Sequence, residues 1–311
     1  MGLAVVGLGT ALPERRLTNA DLAAVLDTTD EWIVERTGIR ERRVAGPDED
    51  SATLGAAAGA AAVKDAGLTP GDIGLLLLAT CTPVQAMPAT AALVHDQLGL
   101  RCGALDIGAA CSGFVYGLVA ANGMAGDQPV LLIGSETLSR ITDPHDRGTR
   151  ILFGDGAGAV VLAPSDGAGL LAWDLGCDGS GASLLEVPPG ARYMRMEGRE
   201  VFRRAVRVVV DSCTTVLDRA KVAPAEVALF VPHQANVRII DACCTRLAIP
   251  RERTAVNLDR YGNTSAASVP IALAEAAATG RTGPGDHVLL AGFGAGMTWA
   301  SVLMRWERPR S

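Results

Sequence analysis

A cysteine lies where the sequence predicts a strand feeding directly into a helix. In DIGAACSGF, residues 106–114, an apolar run ends in small residues, and after Cys111 the segment FVYGLV (114–119) spaces its apolar residues as a helix does. Backbone N–H groups and the positive end of the helix dipole would then point at the sulfur, which favours a reactive thiolate. A small buried hydrophobic side chain is the commoner role of a free cysteine, and this stretch alone leaves both roles open.

Two other segments carry polar residues at the predicted ends of strands. His233 directly follows the apolar run VALFVP, and YGNTS places Asn263 on a glycine turn before a long alanine-rich helix. Taken singly, they fit a packed histidine and a helix-capping asparagine. Together with Cys111 they fit acyl transfer through a cysteine nucleophile, because an imidazole can move a proton and an amide can hold a developing charge.

A glycine-rich loop could complete this chemistry. The stretch GFGAG (292–296) could offer a backbone N–H that stabilises an oxyanion together with the N–H of Cys111. An ordinary tight turn is the alternative for this loop and for FGDGAG (153–158). Neither stretch is a phosphate-binding loop, because the lysine of that motif does not follow the glycines.

The composition indicates a globular chain with a sizeable core. Of its 311 residues, 49% are hydrophobic and 20% are charged, and the net charge of -6 argues against a general nucleic-acid binder. No apolar run of about 18 residues and no signal-peptide pattern is present, so we expect no membrane partner and a cytoplasmic protein. The seven cysteines lack metal-ligand spacing, so we expect reduced thiols and no metal site.

Alternating strands and helices predict an α/β fold with largely parallel sheets covered on both faces. Strands are expected in these runs: LLLLAT (75–80), PVLLIGSE (129–136), GAGAVVLAP (156–164), VALFVP (227–232), HVLLAGFGAG (287–296) and WASVLMRW (299–306). The runs repeat in order with a period near half the chain, which predicts a duplicated domain. We place the halves at 1–168 and 169–311, with the chemistry at strand ends where they face each other.

Six motifs in order resemble those of the β-ketoacyl-acyl carrier protein synthase III family of condensing enzymes. They are TDEWIVERTGIRERR (29–43), GAACSGF (108–114), DRGTRILFGDGAGAVVL (146–162), VPHQANVRII (231–240), YGNTSAAS (261–268) and GFGAGMTW (292–299). The resemblance implies a thiolase-like duplicated domain, built as a five-layered αβαβα sandwich, and a homodimer. The first half would carry the nucleophilic cysteine, and the second would carry the histidine and asparagine.

The resemblance also implies the reaction and the residues that perform it. Cys111 would be acylated by acyl-CoA, which is a substrate, so that no further cofactor is expected. His233 and Asn263 would hold malonyl-acyl carrier protein and stabilise the enolate left by decarboxylation. That carbanion would attack the acyl-cysteine in a Claisen condensation that initiates fatty acid or polyketide chains. The backbone N–H groups of Cys111 and Ala295 would form the oxyanion hole.

Further positions are matched to binding roles by the same resemblance. The CoA site would be formed by Thr28, Trp32, Arg36, Arg147, Gly198 and Asn236, with Trp32 and Arg147 on the two sides of the adenine. The acyl pocket would be lined by Leu152 and Phe153 and floored by Met87, where a methionine in place of phenylalanine would admit primers longer than acetyl. The segment 178–198, which is shorter than in housekeeping members, would edge this pocket and the dimer interface.

An arginine cluster could dock the acidic carrier protein. Its members are Arg203, Arg204, Arg207 and Arg238, and a solvated helix face explains the same residues equally well.

Two alternative functions stay open, and a third is disfavoured. A priming ketosynthase or acyltransferase of a secondary-metabolite pathway would share every motif above. A Cys-His thioester hydrolase could use the same thiol. A hydroxymethylglutaryl-CoA synthase is disfavoured because it needs a glutamate base just after the strand LLLLAT, and CTPVQAMP (81–88) carries no acid there.

Overall fold

The computed structural model describes residues 2–166 and 169–308. Its strands are β1 (Gly2–Ala11), β2 (Arg16–Thr18), β3 (Glu41–Arg43), β4 (Leu75–Ala79), β5 (Gly103–Ile107), β6 (Val130–Thr137), β7 (Asp155–Ser165), β8 (Gly169–Cys177), β9 (Leu185–Glu186), β10 (Arg195–Met196), β11 (Val227–Pro232), β12 (His287–Gly294) and β13 (Thr298–Arg305). Its helices are α1 (Asn19–Ala23), α2 (Asp30–Thr37), α3 (Ser51–Asp65), α4 (Thr90–Leu98), α5 (Gly113–Met124), α6 (Arg147–Arg150), α7 (Gly198–Ala220), α8 (Val237–Leu247), α9 (Leu258–Tyr261) and α10 (Ser268–Ala278).

Two larger sheets hold most of these strands. The first has the order β1-β7-β6-β4-β5, and the second has the order β8-β13-β12-β11. The order of the second sheet repeats the first four positions of the first sheet. In each, the first two pairs of neighbouring strands are antiparallel and the third pair is parallel. The predicted boundary at residue 168 lies outside the described residues, between the last strand of one sheet and the first strand of the other.

Three apolar layers show how the sheets and helices stack. A central layer joins the sheets through α5 and α10, with Phe114, Leu132, Val269 and Leu290 among its buried side chains. A second packs α3 and α4 on the first sheet, and a third packs α7 and α8 on the second. The sequence of layers is therefore helix, sheet, helix, sheet, helix. This is the five-layered thiolase-like sandwich that the motifs predicted.

The prediction of largely parallel sheets is wrong. Strand β4 runs parallel to β5 and β6, and β11 runs parallel to β12, but the remaining pairs of the two large sheets are antiparallel. Both faces of these sheets are covered, so antiparallel strands such as β7 are buried along most of their length and read as continuous apolar runs. Burial on both faces thus removed the alternation that would have distinguished them.

All six strand runs quoted from the sequence form strands in the structure, to within two residues at each end. Strand β8 was missed because it lies at the edge of its sheet and alternates buried with exposed residues. No helix in residues 2–166 or 169–308 combines the length and apolarity that a bilayer crossing requires.

Candidate active site

Cys111 lies at the turn between strand β5 and helix α5, as its sequence context predicted. A short 3-10 turn spans Ala110–Ser112, and Ala110 adopts a left-handed conformation with φ of 46°. A non-glycine residue in that region is strained and must be held by its surroundings. Strand β12 supplies part of that support, because a Cβ atom on Gly294 would lie 2.6 Å from the backbone nitrogen of Cys111.

The Cys111 thiol is more deeply buried than the sequence suggested, and this changes its resting state. The residue is 6% exposed, and burial raises the pKa of its thiol to about 12. A hydrogen bond with Ser265 lowers the pKa in part, and the charge of Glu136 raises it. Burial therefore opposes the thiolate that the helix N-terminus favours. A proton must leave Cys111 before it can attack.

His233 follows the end of strand β11 and is fixed on three sides. Its backbone N–H donates to the carbonyl of Ala291 at 2.7 Å, its Nδ1 lies 2.6 Å from Ser268 Oγ, and its ring meets Phe293 edge-on with centroids 5.2 Å apart. Burial lowers the pKa of the imidazole to about 3, so His233 is neutral at physiological pH. Because Ser268 engages Nδ1, Nε2 is the nitrogen available to the cavity.

Asn263 is held by its own backbone and by the turn that follows it. Its N–H donates to the carbonyl of Leu152 at 2.8 Å, and its carbonyl accepts from Gly154 at 3.0 Å. The Oδ1 atom accepts from the N–H of Ser265 at 2.9 Å. The amide Nδ2 is therefore the side-chain group that can donate to a substrate. The helix-capping role that the sequence allows for Asn263 is limited to this one hydrogen bond from the N–H of Ser265.

Two adjoining cavities meet at Cys111. The first has a volume of about 90 Å³ and contains Cys111, His233, Asn263, Phe293 and Ala295 in its wall. The second has a volume of about 250 Å³, shares Cys111, Phe153 and Ala295, and is lined by the apolar side chains of Leu138, Ile141, Val187 and Met194. The structure thus brings the three predicted catalytic side chains and the Ala295 loop together. Of the predicted pocket residues, Leu152 lines the first cavity and Phe153 lines both.

Met87 lines neither cavity of its own chain. Its side chain is 86% exposed. The loop after β4 is tied toward strand β5, because the N–H of Val84 donates to Thr90 Oγ1 and the N–H of Thr90 donates to Asp106. Within one chain Met87 therefore faces solvent, and its role toward the acyl pocket stays a prediction.

The predicted CoA residues gather at one entrance but differ in arrangement from the expected adenine sandwich. The guanidinium carbons of Arg36 and Arg147 lie 4.6 and 4.9 Å from the ring centre of Trp32. Such distances are direct cation–π contacts, so Arg147 must swing off the indole before a purine can enter between them. Thr28 carries a buried hydroxyl without a partner in the structure. Gly198 and Asn236 line the first cavity, and Asn236 Nδ2 donates to the Arg36 carbonyl at 3.0 Å.

The four arginines of the predicted docking patch are not equivalent. Arg203 and Arg204 both bond Glu200, at 2.7 and 2.8 Å, and lower the pKa of its carboxyl to about 2. Arg204 also bonds Asp178, so much of this positive charge is neutralised. Arg238 is exposed, and its guanidinium lies 6.0 Å from the ring of Phe202, which lines the first cavity. Arg207 is also exposed, but Arg238 is the member whose guanidinium lies near a residue of the cavity wall.

A buried carboxylate beside Cys111 escaped the sequence analysis. Glu136 ends strand β6 with no exposed surface, and its oxygens accept from the N–H groups of Cys81 and Thr82. The segment CTPVQAMP (81–88) carries no acid of its own. The neighbouring strand β6 nevertheless places the Glu136 carboxylate against the first two residues of that segment. The signal was present in the sequence, since PVLLIGSE ends an apolar strand on a glutamate at the same sheet edge as the other site residues.

Other polar residues near the site serve the fold. Gln234, which follows His233, uses its amide to bond the carbonyls of Pro232 and Ala255 and the N–H of Asn257. The described residues contain no cluster of three or more histidine, cysteine, aspartate or glutamate side chains suited to a metal ion.

Comparisons with known proteins give a consistent result. Profiles of 3-oxoacyl-acyl carrier protein synthase III match residues 105–179, and profiles of its C-terminal part match residues 217–306. A β-ketoacyl-acyl carrier protein synthase III of Roseiflexus sp. is 50% identical, over 97% of this chain and 98% of the relative. The crystal structure of 3-oxoacyl-acyl carrier protein synthase III from Aquifex aeolicus is 47% identical, with a TM-score of 0.96, covering 98% of this chain and all of that one. A priming β-ketosynthase of a polyketide pathway is 36% identical, with a TM-score of 0.92, covering 99% and 97%.

Proposed function

Because this chain belongs to the β-ketoacyl-acyl carrier protein synthase III family, we propose that Cys111, His233 and Asn263 carry out its reaction. That reaction is the condensation of an acyl-CoA primer with malonyl-acyl carrier protein, which initiates fatty acid synthesis. The observation that carries the assignment is the convergence of the three side chains on one cavity that opens into a second, apolar cavity at the sulfur.

In the first half-reaction Cys111 takes the acyl group from CoA. The sulfur attacks the thioester carbonyl, and the backbone N–H groups of Cys111 and Ala295 stabilise the oxyanion that forms. One such donor is worth about 3 kcal/mol in other enzymes. The acyl chain then extends into the second cavity, whose wall of Leu138, Ile141 and Met194 is apolar. The CoA moiety lies along the first cavity, past Asn236 and Gly198, toward Trp32.

In the second half-reaction the malonyl thioester replaces CoA in the first cavity. His233 Nε2 and Asn263 Nδ2 both donate to its thioester oxygen, on which negative charge develops as carbon dioxide leaves. A neutral imidazole suits this role, because Nε2 carries the proton and can donate when Nδ1 accepts from Ser268. The carbanion attacks the acyl-Cys111 carbonyl and releases the thiol. In this proposal acyl-CoA is a substrate, and no metal or further cofactor takes part.

Arg238 is proposed as the contact for the acidic carrier protein. We expect Arg238→Glu to raise the KM for malonyl-acyl carrier protein by about tenfold at low salt, because it exchanges attraction for repulsion at the cavity mouth. The kcat for malonyl-CoA, which brings no carrier protein, should stay unchanged. Arg203→Glu should have a smaller effect, since Glu200 already pairs with Arg203. Steady-state kinetics at two salt concentrations measure this, and equal effects on both malonyl substrates would contradict it.

A cytoplasmic homodimer is part of the proposal. Strand β5 is the edge of the five-stranded sheet, and the adjacent loop exposes Val84 by 40% and Met87 by 86%. An open edge beside exposed apolar side chains is suited to association with a second copy. Analytical ultracentrifugation of the purified chain tests this, and a monomer at micromolar concentration would contradict it.

The function is tested by measuring acylation of the protein and the complete condensation reaction. We expect purified protein incubated with acyl-CoA to gain one acyl group by intact mass, and to form a β-ketoacyl carrier protein when malonyl-acyl carrier protein is added. The fatty acid carrier and a polyketide carrier, offered in competition, distinguish the family's housekeeping reaction from the priming ketosynthase alternative. Acyl-enzyme that only hydrolyses, with no condensation product on either carrier, would contradict the proposal.

A further inference from the structure

The two backbone donors of the proposed oxyanion hole come from opposite halves of the chain. Cys111 lies in the turn before helix α5, and Ala295 lies in the loop between strands β12 and β13. Both donors stabilise an oxyanion only if their N–H groups point at one atom, and a misplacement of about 1 Å can cost about 100-fold in rate. The relative position of the turn and the loop therefore decides how well the hole works.

Strand β12 lies directly against the turn that carries Cys111, and two glycines allow this approach. A Cβ atom on Gly292 would lie 2.9 Å from the Cα atom of Ser112, and one on Gly294 would lie 2.6 Å from the backbone nitrogen of Cys111. A side chain at either position would clash with the turn. The backbone of the strand thus packs on the turn with no side chain between them.

Two hydroxyl groups form hydrogen bonds across this contact. Thr298 begins strand β13 and is paired with Gly294 in the hairpin, which places it beside the turn. Its Oγ1 lies 3.0 Å from the carbonyl oxygen of Ala109 and 3.1 Å from the carbonyl oxygen of Ala295. Ser112 Oγ lies 2.9 Å from Thr298 Oγ1 and 2.7 Å from the carbonyl oxygen of Ala109.

The hydroxyl of Thr298 links the turn to the loop. A hydroxyl can donate once and accept as well, so Ser112 can donate to Thr298 while Thr298 donates to the carbonyl of Ala295. This chain of bonds runs from the residue after the nucleophile to the residue that supplies the second donor. Thr298 itself lines neither cavity, so it can act on the reaction only through the residues that it bonds.

The other side of the loop is fixed by backbone bonds. Met297 and Asp178 exchange two N–H to carbonyl bonds of 2.7 Å each. These bonds tie the loop to the residue that follows β8 and do not reach the turn that carries Cys111. The bonds of Thr298 and Ser112 supply that connection.

We propose that Thr298 is a positioning residue, which holds the Ala295 loop in register with the Cys111 turn so that both N–H groups point at one oxyanion. This inference rests on the proposed function, because it concerns the attack on a thioester carbonyl. Such an oxyanion forms when the sulfur attacks acyl-CoA and again when the carbanion attacks the acyl-cysteine. The enolate formed by decarboxylation is held by His233 and Asn263 instead. Loss of the Thr298 hydroxyl should therefore impair acylation and condensation and spare decarboxylation.

Thr298→Val keeps the branched shape of the side chain and removes its hydroxyl. We expect acylation of Cys111 to slow by about 10- to 100-fold with the KM for acyl-CoA unchanged, because a displaced donor loses part of the stabilisation that it provides. Release of carbon dioxide from malonyl-acyl carrier protein without primer should stay within about threefold of the unmodified rate. Rapid-quench mass spectrometry measures acylation, and trapped carbon dioxide measures decarboxylation.

Two further variants separate positioning from a general loss of stability. Thr298→Ser restores the hydroxyl and should recover acylation to within about threefold of the unmodified rate. Ser112→Ala removes the other hydroxyl of the same chain of bonds, so the double variant Ser112→Ala/Thr298→Val should acylate about as slowly as Thr298→Val alone. Losses that add in the double variant would contradict a shared role.

Thr254→Val is the matched control, because it makes the same exchange at a hydroxyl outside the site. Thr254 is buried, its Oγ1 donates to the carbonyl of Pro250 at 3.2 Å, and the Oγ1 atom lies 3.2 Å from Cys244 Sγ. It lines neither cavity. We expect this variant to lose thermal stability and to acylate within about threefold of the unmodified rate.

The infrared band of the acyl carbonyl tests the oxyanion hole itself. With carbonyl-labelled acyl-CoA, the thioester of the acyl-enzyme should absorb at a higher frequency in Thr298→Val than in the unmodified protein, because misaligned donors polarise the carbonyl less. An unshifted band with unchanged acylation, or equal loss of acylation and decarboxylation, would overturn the role of Thr298 and leave the proposed function standing. Failure of the unmodified protein to be acylated by any acyl-CoA would overturn the proposed function instead.

Discussion

Replacing Cys111 by alanine is expected to abolish the acyl-enzyme and to reduce condensation by at least about 10⁴-fold. Among the seven cysteines, Cys111 is the one that precedes a helix, lies against the backbone of Gly294 and lines both cavities. Intact mass after a short incubation with acyl-CoA should rise by one acyl group in the unmodified protein and not at all in the variant. Peptide mapping should place that group on Cys111.

Cys213→Ala is the control for this experiment. Burial raises the pKa of the Cys213 thiol to about 12, the same value as for Cys111, but its sulfur contacts Ser301 Oγ at 3.4 Å inside the apolar core. Burial therefore opposes ionisation of both thiols, which differ in what surrounds them. We expect Cys213→Ala to be acylated normally. Acylation of Cys111→Ala at the unmodified rate would instead move the nucleophile to another residue.

The position of Cys111 could be predicted because local sequence determines it. Strand β5, the turn and helix α5 follow one another within 22 residues, and each leaves a pattern in that stretch. The six apolar strands were found for the same reason. Motifs in register then supplied the long-range order that periodicity cannot give, and this is why the five-layered fold was predicted correctly although the strand directions were not.

Features that depend on packing between distant segments were not predictable. Glu136 is 25 residues from Cys111 in sequence and contacts the loop after β4 and the turn that holds Ser265 only because these segments end at the same edge. The exposure of Met87 likewise depends on how its loop is anchored, through the bond from Thr90 to Asp106. Likewise, the arginine cluster looked uniform until the structure showed Glu200 bonding two of its members.

The thiol pKa shows how local and tertiary effects compete. The helix N-terminus argues for a thiolate, and the sequence contains that argument in full. The depth of burial belongs to the folded molecule, because strand β12 and the Ser265 turn cover the sulfur. This burial raises the pKa of the Cys111 thiol, so a proton must leave the sulfur before acylation. The helix dipole still contributes once the thiolate forms.

His233→Ala and Asn263→Ala are each expected to slow malonyl decarboxylation by about 10² to 10³-fold, the usual loss on removing one donor from a developing oxyanion. Acylation of Cys111 should stay within about threefold of the unmodified rate, because neither side chain takes its proton. Release of carbon dioxide from malonyl-acyl carrier protein measures one half-reaction, and acyl mass gain measures the other. Asn257→Ala removes a buried asparagine that bonds Glu275 and lines neither cavity, so it controls for stability alone.

This division of labour separates a condensing site from a thioester hydrolase. In a hydrolase the histidine would take the thiol proton, and its loss would slow both half-reactions together. The geometry argues against that, because Nδ1 of His233 lies at Ser268 and no carboxylate is bonded to it that could stabilise an imidazolium. Asn263, whose Oδ1 is committed to Ser265, can only donate into the cavity, as an enolate requires. Equal loss of acylation and decarboxylation in His233→Ala would therefore contradict the proposed roles.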